Sequence, residues 1–130
     1  MQLANAMTSN PVTVSSLDTL ATAKRLMDTG GFRRLPVIDG GKLVGMLTER
    51  DIREHTGTLQ RTRVNAAMRT EVITATPADS VESAARLMLK HKIGGLPVTV
   101  DGKLAGIVTM TDIVKAFLRV LQATEHIMDG

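Results

Sequence analysis

The chain has no cysteine, tryptophan or tyrosine, and Phe32 and Phe117 are its only aromatic residues. Without cysteine there are no disulfides, thiolate metal ligands or thiol nucleophiles, and nothing argues for secretion. So few aromatics leave no stacking platform for single-stranded nucleic acid. No stretch approaches the roughly 18 apolar residues of a membrane span. The opening MQLANAMTSNPV lacks the basic-then-apolar order of a secretory signal. Charge of one sign is not gathered anywhere either: 16 Lys and Arg are scattered among 13 Asp and Glu. The formal charge of +3 and pI of about 9.7 therefore read as a solvated surface rather than a nucleic-acid stripe. These absences predict a cytoplasmic protein with neither a membrane nor a nucleic acid as partner. At 130 residues and 43% apolar content, one folded unit is expected.

What the chain does contain is a unit written twice. A shift of 61 positions, from Gly45 to Gly106, lays GIVTMTD over GMLTERD, and the match needs no gap from Met7/Met68 onward. Thr13/Thr74, Asp18/Asp79 and Arg25-Leu26-Met27 over Arg86-Leu87-Met88 are paired in this way. So are Leu35-Pro36-Val37 over Leu96-Pro97-Val98 and Gly41-Lys42-Leu43 over Gly102-Lys103-Leu104.

Each unit alternates between two periodicities. Val12-Thr13-Val14 and Val72-Ile73-Thr74 are short β-branched runs, expected as strands. Leu20, Ala23, Leu26 and Met27, and likewise Val81, Ala84, Leu87 and Met88, recur at helical spacing, with Gly30 a plausible stop for the first helix. Two apolar runs then flank Asp39-Gly40-Gly41 and Asp101-Gly102, which predicts hairpins. A second helix follows each, Glu49 to about His55 and Thr111 to about Leu121. The order is β-α-β-β-α, twice, an α+β (α/β) fold, and the polar stretch Gly57 to Asn65 reads as the linker. Units below about 70 to 80 residues seldom stabilise themselves alone. The two are therefore expected to pack about a pseudo-twofold axis, leaving two related clefts.

The repeated Gly-x-x-Thr-x-x-Asp element supports two readings that do not exclude each other. Thr48 with Asp51, and Thr109 with Asp112, have the spacing of a helix capping box. A helix N-terminus also attracts anions, a hydroxyl there can donate to a phosphate, and a carboxylate one turn in can accept from the cis-diol of a ribose. The preceding glycine would let a ligand approach the strand backbone. Together these features point to a nucleotide.

The doubled unit, with Leu-Pro-Val, the Gly-Lys-Leu turn and GMLTERDI, resembles the CBS (cystathionine β-synthase) domain, and the chain looks like a stand-alone CBS pair, or Bateman module. The resemblance covers about residues 7 to 120, with domains at 7–60 and 68–125. It implies a regulatory ligand such as AMP, ADP, ATP, NAD or S-adenosylmethionine, no required cofactor, and transmission to a partner protein. Asp51 and Asp112 would hold ribose hydroxyls, and Thr48 and Thr109 would lie at the ribose-phosphate end. The adenine would lie against Met7, Val12, Phe32 and Arg33 in one cleft, and against Met68, Ile73, Ile93 and Gly94 in the other. Arg33 and Arg34 precede Leu35-Pro36 where Gly94 and Gly95 precede Leu96-Pro97. If each cleft takes its Asp from one repeat and its anion contacts from the other, Asp112, Thr109 and Arg33 make the stronger phosphate site. The alternative for Arg33 and Arg34 is a pair of solvated charges at a strand start. Arg50, where the second copy has Thr111, is a candidate for a polyphosphate or another subunit.

No nucleophile-base pair, Walker-type loop or metal set is present, and His55, His91 and His126 lack metal-ligand spacing, so no enzyme is expected. The competing function is a ligand-free dimerisation or protein-interaction module. Ile113, Val114, Phe117, Leu118 and Leu121 form an apolar face suited to a homodimer.

Overall fold

The computed structural model describes residues 1–129, with side chains described through residue 125. In chain order the elements are β1 (Thr8–Ser9), α1 (Leu20–Gly30), β2 (Arg34–Asp39), β3 (Lys42–Thr48), α2 (Glu49–Arg53), α3 (Val81–His91), β4 (Gly95–Val100), β5 (Lys103–Thr109) and α4 (Met110–Asp129). Short 3-10 turns lie at Leu3–Asn5, Thr56–Thr58 and Val64–Ala66. The mixed α+β class agrees with the alternating patterns.

Two compact units form, and they cut across the repeats. One holds Asn10–Ile73 and the hairpin tip Asp101–Leu104; the other holds Met1–Ser9, Thr74–Val100 and the chain from Ala105 on. Each unit thus combines the helices and hairpin of one repeat with the segment that opens the other. Leu3 and Val64, 61 positions apart, anchor these opening segments and are both fully buried. They share only apolar character, so identity between the repeats does not mark them.

In the first-repeat unit α1 starts at Thr19, whose hydroxyl accepts from the Thr22 N–H at 3.2 Å. It buries Leu20, Ala23 and Met27, and ends at Gly31, left-handed at φ 71°. The stop is therefore one residue beyond Gly30. β2 and β3 pair antiparallel from Arg34↔Thr48 to Asp39↔Lys42. Val14, Leu35, Val37, Leu47, Ile52 and Val64 pack with the buried face of α1 into one core.

The strand expected at Val12–Val14 is reduced to a single parallel bridge, Val14 to Val37, and Ala75 to Val98 is its counterpart in the other unit. The turn that follows ends the pairing at once, with the Ser15 N–H donating to Asp18 Oδ2 at 2.9 Å. The expected linker is also integrated into the fold. The Leu20 N–H donates to the Thr62 carbonyl at 2.9 Å and the Ala21 N–H to the Leu59 carbonyl at 3.0 Å. Leu59 and Val64 supply its contact with the core, too few apolar residues to show a periodicity.

In the second-repeat unit α3 is capped by Ser80 and buries Ala84 and Met88. Its sheet has the order β1-β5-β4. β1 joins antiparallel through Thr8↔Ile107 and Ser9↔Gly106, and the Leu3 N–H donates to the Asp79 carbonyl at 2.8 Å. α4 buries Ala116 but leaves Val114, Phe117, Leu118 and Leu121 exposed.

Candidate functional site

β3 and β5 each end in the threonine that starts the following helix, and in both copies the capping box forms. The Thr48 N–H donates to Asp51 Oδ2 at 2.9 Å and the Asp51 N–H to Thr48 Oγ1 at 3.2 Å. The Thr109 N–H donates to Asp112 Oδ2 at 2.9 Å, the Asp112 N–H to Thr109 Oγ1 at 3.4 Å, and the Thr109 hydroxyl to Asp112 Oδ2 at 3.1 Å. The box engages Oδ2 alone. The other oxygen is met by the opening segment within the same unit: Thr8 Oγ1 donates to Asp112 Oδ1 at 3.5 Å, and Arg69 Nε lies 3.5 Å from Asp51 Oδ1. Thr8 and Arg69, 61 positions apart, occupy equivalent places in the two repeats. Neither belongs to a motif, so sequence reasoning had no signal with which to find them.

The matched glycines have a steric cause. A Cβ on Gly45 would lie 2.6 Å from Met68 Sδ and 2.9 Å from the Arg69 carbonyl oxygen; one on Gly106 would lie 2.7 Å from the Thr8 carbonyl oxygen and 2.8 Å from Met7 Sδ. The close approach expected of a ligand is made here by the chain itself, which seats Met7 and Met68 beside the two strands.

The helices behind the two boxes differ. α2 has 5 residues and α4 has 20. The dipole argument made for both copies therefore fails for the first, because a helix of little more than one turn sums few peptide dipoles. Its first amide is also engaged, the Glu49 N–H donating to the Arg33 carbonyl at 2.8 Å. The equivalent bond in the second copy runs from the Met110 N–H to the Gly94 carbonyl at 3.1 Å.

Of the remaining expected residues, Val12, Phe32, Arg33, Arg34, Arg50 and Ile73 fall in the unit of Asp51, and Ile93 and Gly94 in that of Asp112. Phe32 and Arg33 line a cleft of about 320 Å³ between α1 and α2, with Lys24, Asp28 and Glu49; Thr48 and Asp51 do not line it. Arg34 is half-buried, and burial followed by the neighbouring Arg33 lowers the pKa of its guanidinium. A second polar cluster is absent from the sequence motifs: Asp39 accepts from the Ser16 N–H at 3.0 Å, from the Ser15 hydroxyl at 3.2 Å and from the Ser16 hydroxyl. The Ser16 bonds hold the Asp39 carboxyl below its usual range. Val100 stands at the equivalent place, so this clasp belongs to the first repeat alone. Among the described residues no group of three or more His, Cys, Asp or Glu side chains could hold a metal, and no helix is long and apolar enough to cross a membrane. The side chain of His126 lies outside the described residues.

Two helix-hairpin-helix repeats, each ending its hairpin in the same capped Thr-x-x-Asp element, define a tandem-repeat α+β module. Residues 3–57 and 64–119 each match the CBS domain, and the chain belongs to that family. It is 38% identical over 112 residues to the CBS domain-containing protein YhcV of Bacillus subtilis, covering 84% of this chain and 80% of that one. It is 39% identical over 104 residues to the inosine-5'-monophosphate dehydrogenase of Korarchaeum cryptofilum, a match that covers 78% of this chain but spans only 21% of that enzyme. Among solved structures, CBSX2 in complex with AMP superimposes with a TM-score of 0.84 at 30% identity, covering 92% of this chain and 97% of that one. The CBS domain pair of protein MJ0100, in complex with 5'-methylthioadenosine and S-adenosyl-L-methionine, gives 0.83 at 30% identity, covering 90% and 95%.

Proposed function

We propose that the chain is a regulatory module that binds an adenosyl nucleotide (AMP, ADP, ATP, NAD or S-adenosylmethionine) and passes its occupancy to a partner protein. The observation that carries this reading is the division of labour within each carboxylate. Oδ2 is held at 2.9 Å by the capping box, whereas the contact at Oδ1 is longer, 3.5 Å, and can be exchanged for a ribose diol. The AMP of CBSX2 and the S-adenosyl-L-methionine of MJ0100 support adenosyl ligands as the class. On this reading Asp112 and Thr109 act with Met7, and Asp51 and Thr48 with Met68 and Ile73. Val12, Phe32, Arg33, Arg34, Arg50, Ile93 and Gly94 are assigned to ligand contacts on the family resemblance. The second copy is the stronger phosphate-nucleotide site, because a 20-residue helix stands behind it. No reaction and no required cofactor are assigned.

A thermal melt across the five nucleotides tests the reading. A ligand at about a hundred times its dissociation constant stabilises the native state by about 2.7 kcal/mol, which raises the melting temperature by several degrees. Flat melts with every nucleotide, repeated by calorimetry, favour the second reading, a ligand-free interaction module. That reading draws on the exposed stripe of Val114, Phe117, Leu118 and Leu121 on α4. We assign this stripe to a homodimer contact under either reading.

A further inference from the structure

The two copies of the carboxylate differ in what holds their outer oxygen. Asp112 Oδ1 accepts a neutral hydroxyl, Thr8 Oγ1, at 3.5 Å. Asp51 Oδ1 instead faces a full positive charge, Arg69 Nε, also at 3.5 Å. The backbone of Arg69 is pinned, since its N–H donates to the Met46 carbonyl at 2.9 Å and its carbonyl accepts from the Met46 N–H at 2.9 Å. The guanidinium is thus delivered to the same carboxylate by the fold. Its side chain is 64% exposed while that of Asp51 is 7% exposed, so the arginine is the partner free to move.

From this geometry we infer that Arg69 is a specificity-determining residue of the first copy, competing with the diol of a nucleoside for Asp51 Oδ1. The inference rests on the nucleotide-binding reading above. A ribose at Asp112 exchanges one hydroxyl partner for another. A ribose at Asp51 must first displace a cation, and its hydroxyls bring no charge to replace it. The competition is the size of a partly exposed ion pair, about two- to fivefold in affinity, and it weakens as salt screens the pair.

Adenosine is the suitable probe, because without a phosphate it gains nothing from a displaced arginine. The difference between calorimetric titrations of adenosine into Asp112→Ala and into Asp112→Ala/Arg69→Thr reads the first copy against an equally weakened second one, with circular dichroism confirming that both variants are folded. The double variant is expected to bind about two- to fivefold more tightly at low ionic strength, with the gap closing as sodium chloride is raised. Equal or weaker binding by the double variant, in a protein whose unsubstituted form binds AMP, overturns the role of Arg69 and leaves the nucleotide reading standing. Absence of AMP and adenosine binding in the unsubstituted protein overturns both. If Asp112→Ala unfolds the protein, Arg69→Thr alone supplies the same comparison through the weaker of two resolved binding steps.

Discussion

Asp39 and Asp51 are carboxylates of one compact unit with different surroundings, and pH probes the bonds of Asp39. The Ser16 hydroxyl and then the Ser16 N–H hold the folded pKa of Asp39 below the ordinary 3.8. A carboxyl with a depressed folded pKa adds stability that is fully present above its unfolded value and is lost as pH falls through the folded one. The denaturation midpoint of Asp39→Asn should therefore lie below that of the unsubstituted protein by a constant margin at about pH 5 to 7, and the margin should shrink below about pH 4. A margin that persists unchanged into strong acid contradicts the role given to the Ser16 bonds. The glycines make a second prediction at this scale. Gly45→Ala places a Cβ 2.9 Å from the Arg69 carbonyl oxygen, and Gly106→Ala places one 2.7 Å from that of Thr8. Each should cost about 1–3 kcal/mol in urea unfolding, as overpacking against backbone does. A neutral result would show that the opening segments yield easily.

At the scale of elements, the opening segments carry more than their length suggests. Leu3 is fully buried in the second-repeat unit, far in sequence from the α3 and β5 residues beside which its segment lies. Leu3→Ala should cost about 2–5 kcal/mol. Faster amide exchange is expected at Val81, whose N–H donates to the Met1 carbonyl at 2.9 Å, and along β5, while α1 keeps its protection. Uniform loss across both units contradicts that placement. On the homodimer contact proposed for α4, Phe117→Asp puts a charge into the exposed apolar stripe and should reduce the sedimenting mass to that of the 14.0 kDa chain. A mass that does not respond rules out that stripe as the contact.

These same elements mark where the sequence was legible. The hairpins and long helices could be read because Leu-Pro-Val and the helical spacing of Leu20, Ala23 and Met27 are strong periodic signals. The capping boxes could be read from spacing alone. Val12–Val14 was misread because β-branched residues signal extended backbone without saying whether a neighbour will pair with it. Arg69 and Thr8 were invisible: their meaning lies in a contact across 18 and 104 positions, which no local pattern encodes.

At the scale of the whole molecule, duplication supplies two copies of one element and divergence makes them unequal. α2 is short and Asp51 is paired with a cation, whereas α4 is long and the outer oxygen of Asp112 meets a hydroxyl. The central claim is that this protein binds an adenosyl nucleotide chiefly through the second copy. Calorimetric titration of AMP into the unsubstituted protein, Asp112→Ala and Asp51→Ala tests it most directly. Loss of a charge-assisted hydrogen bond predicts that Asp112→Ala weakens binding by about tenfold to a hundredfold, and that Asp51→Ala weakens it less. Binding abolished by Asp51→Ala and untouched by Asp112→Ala would contradict the account.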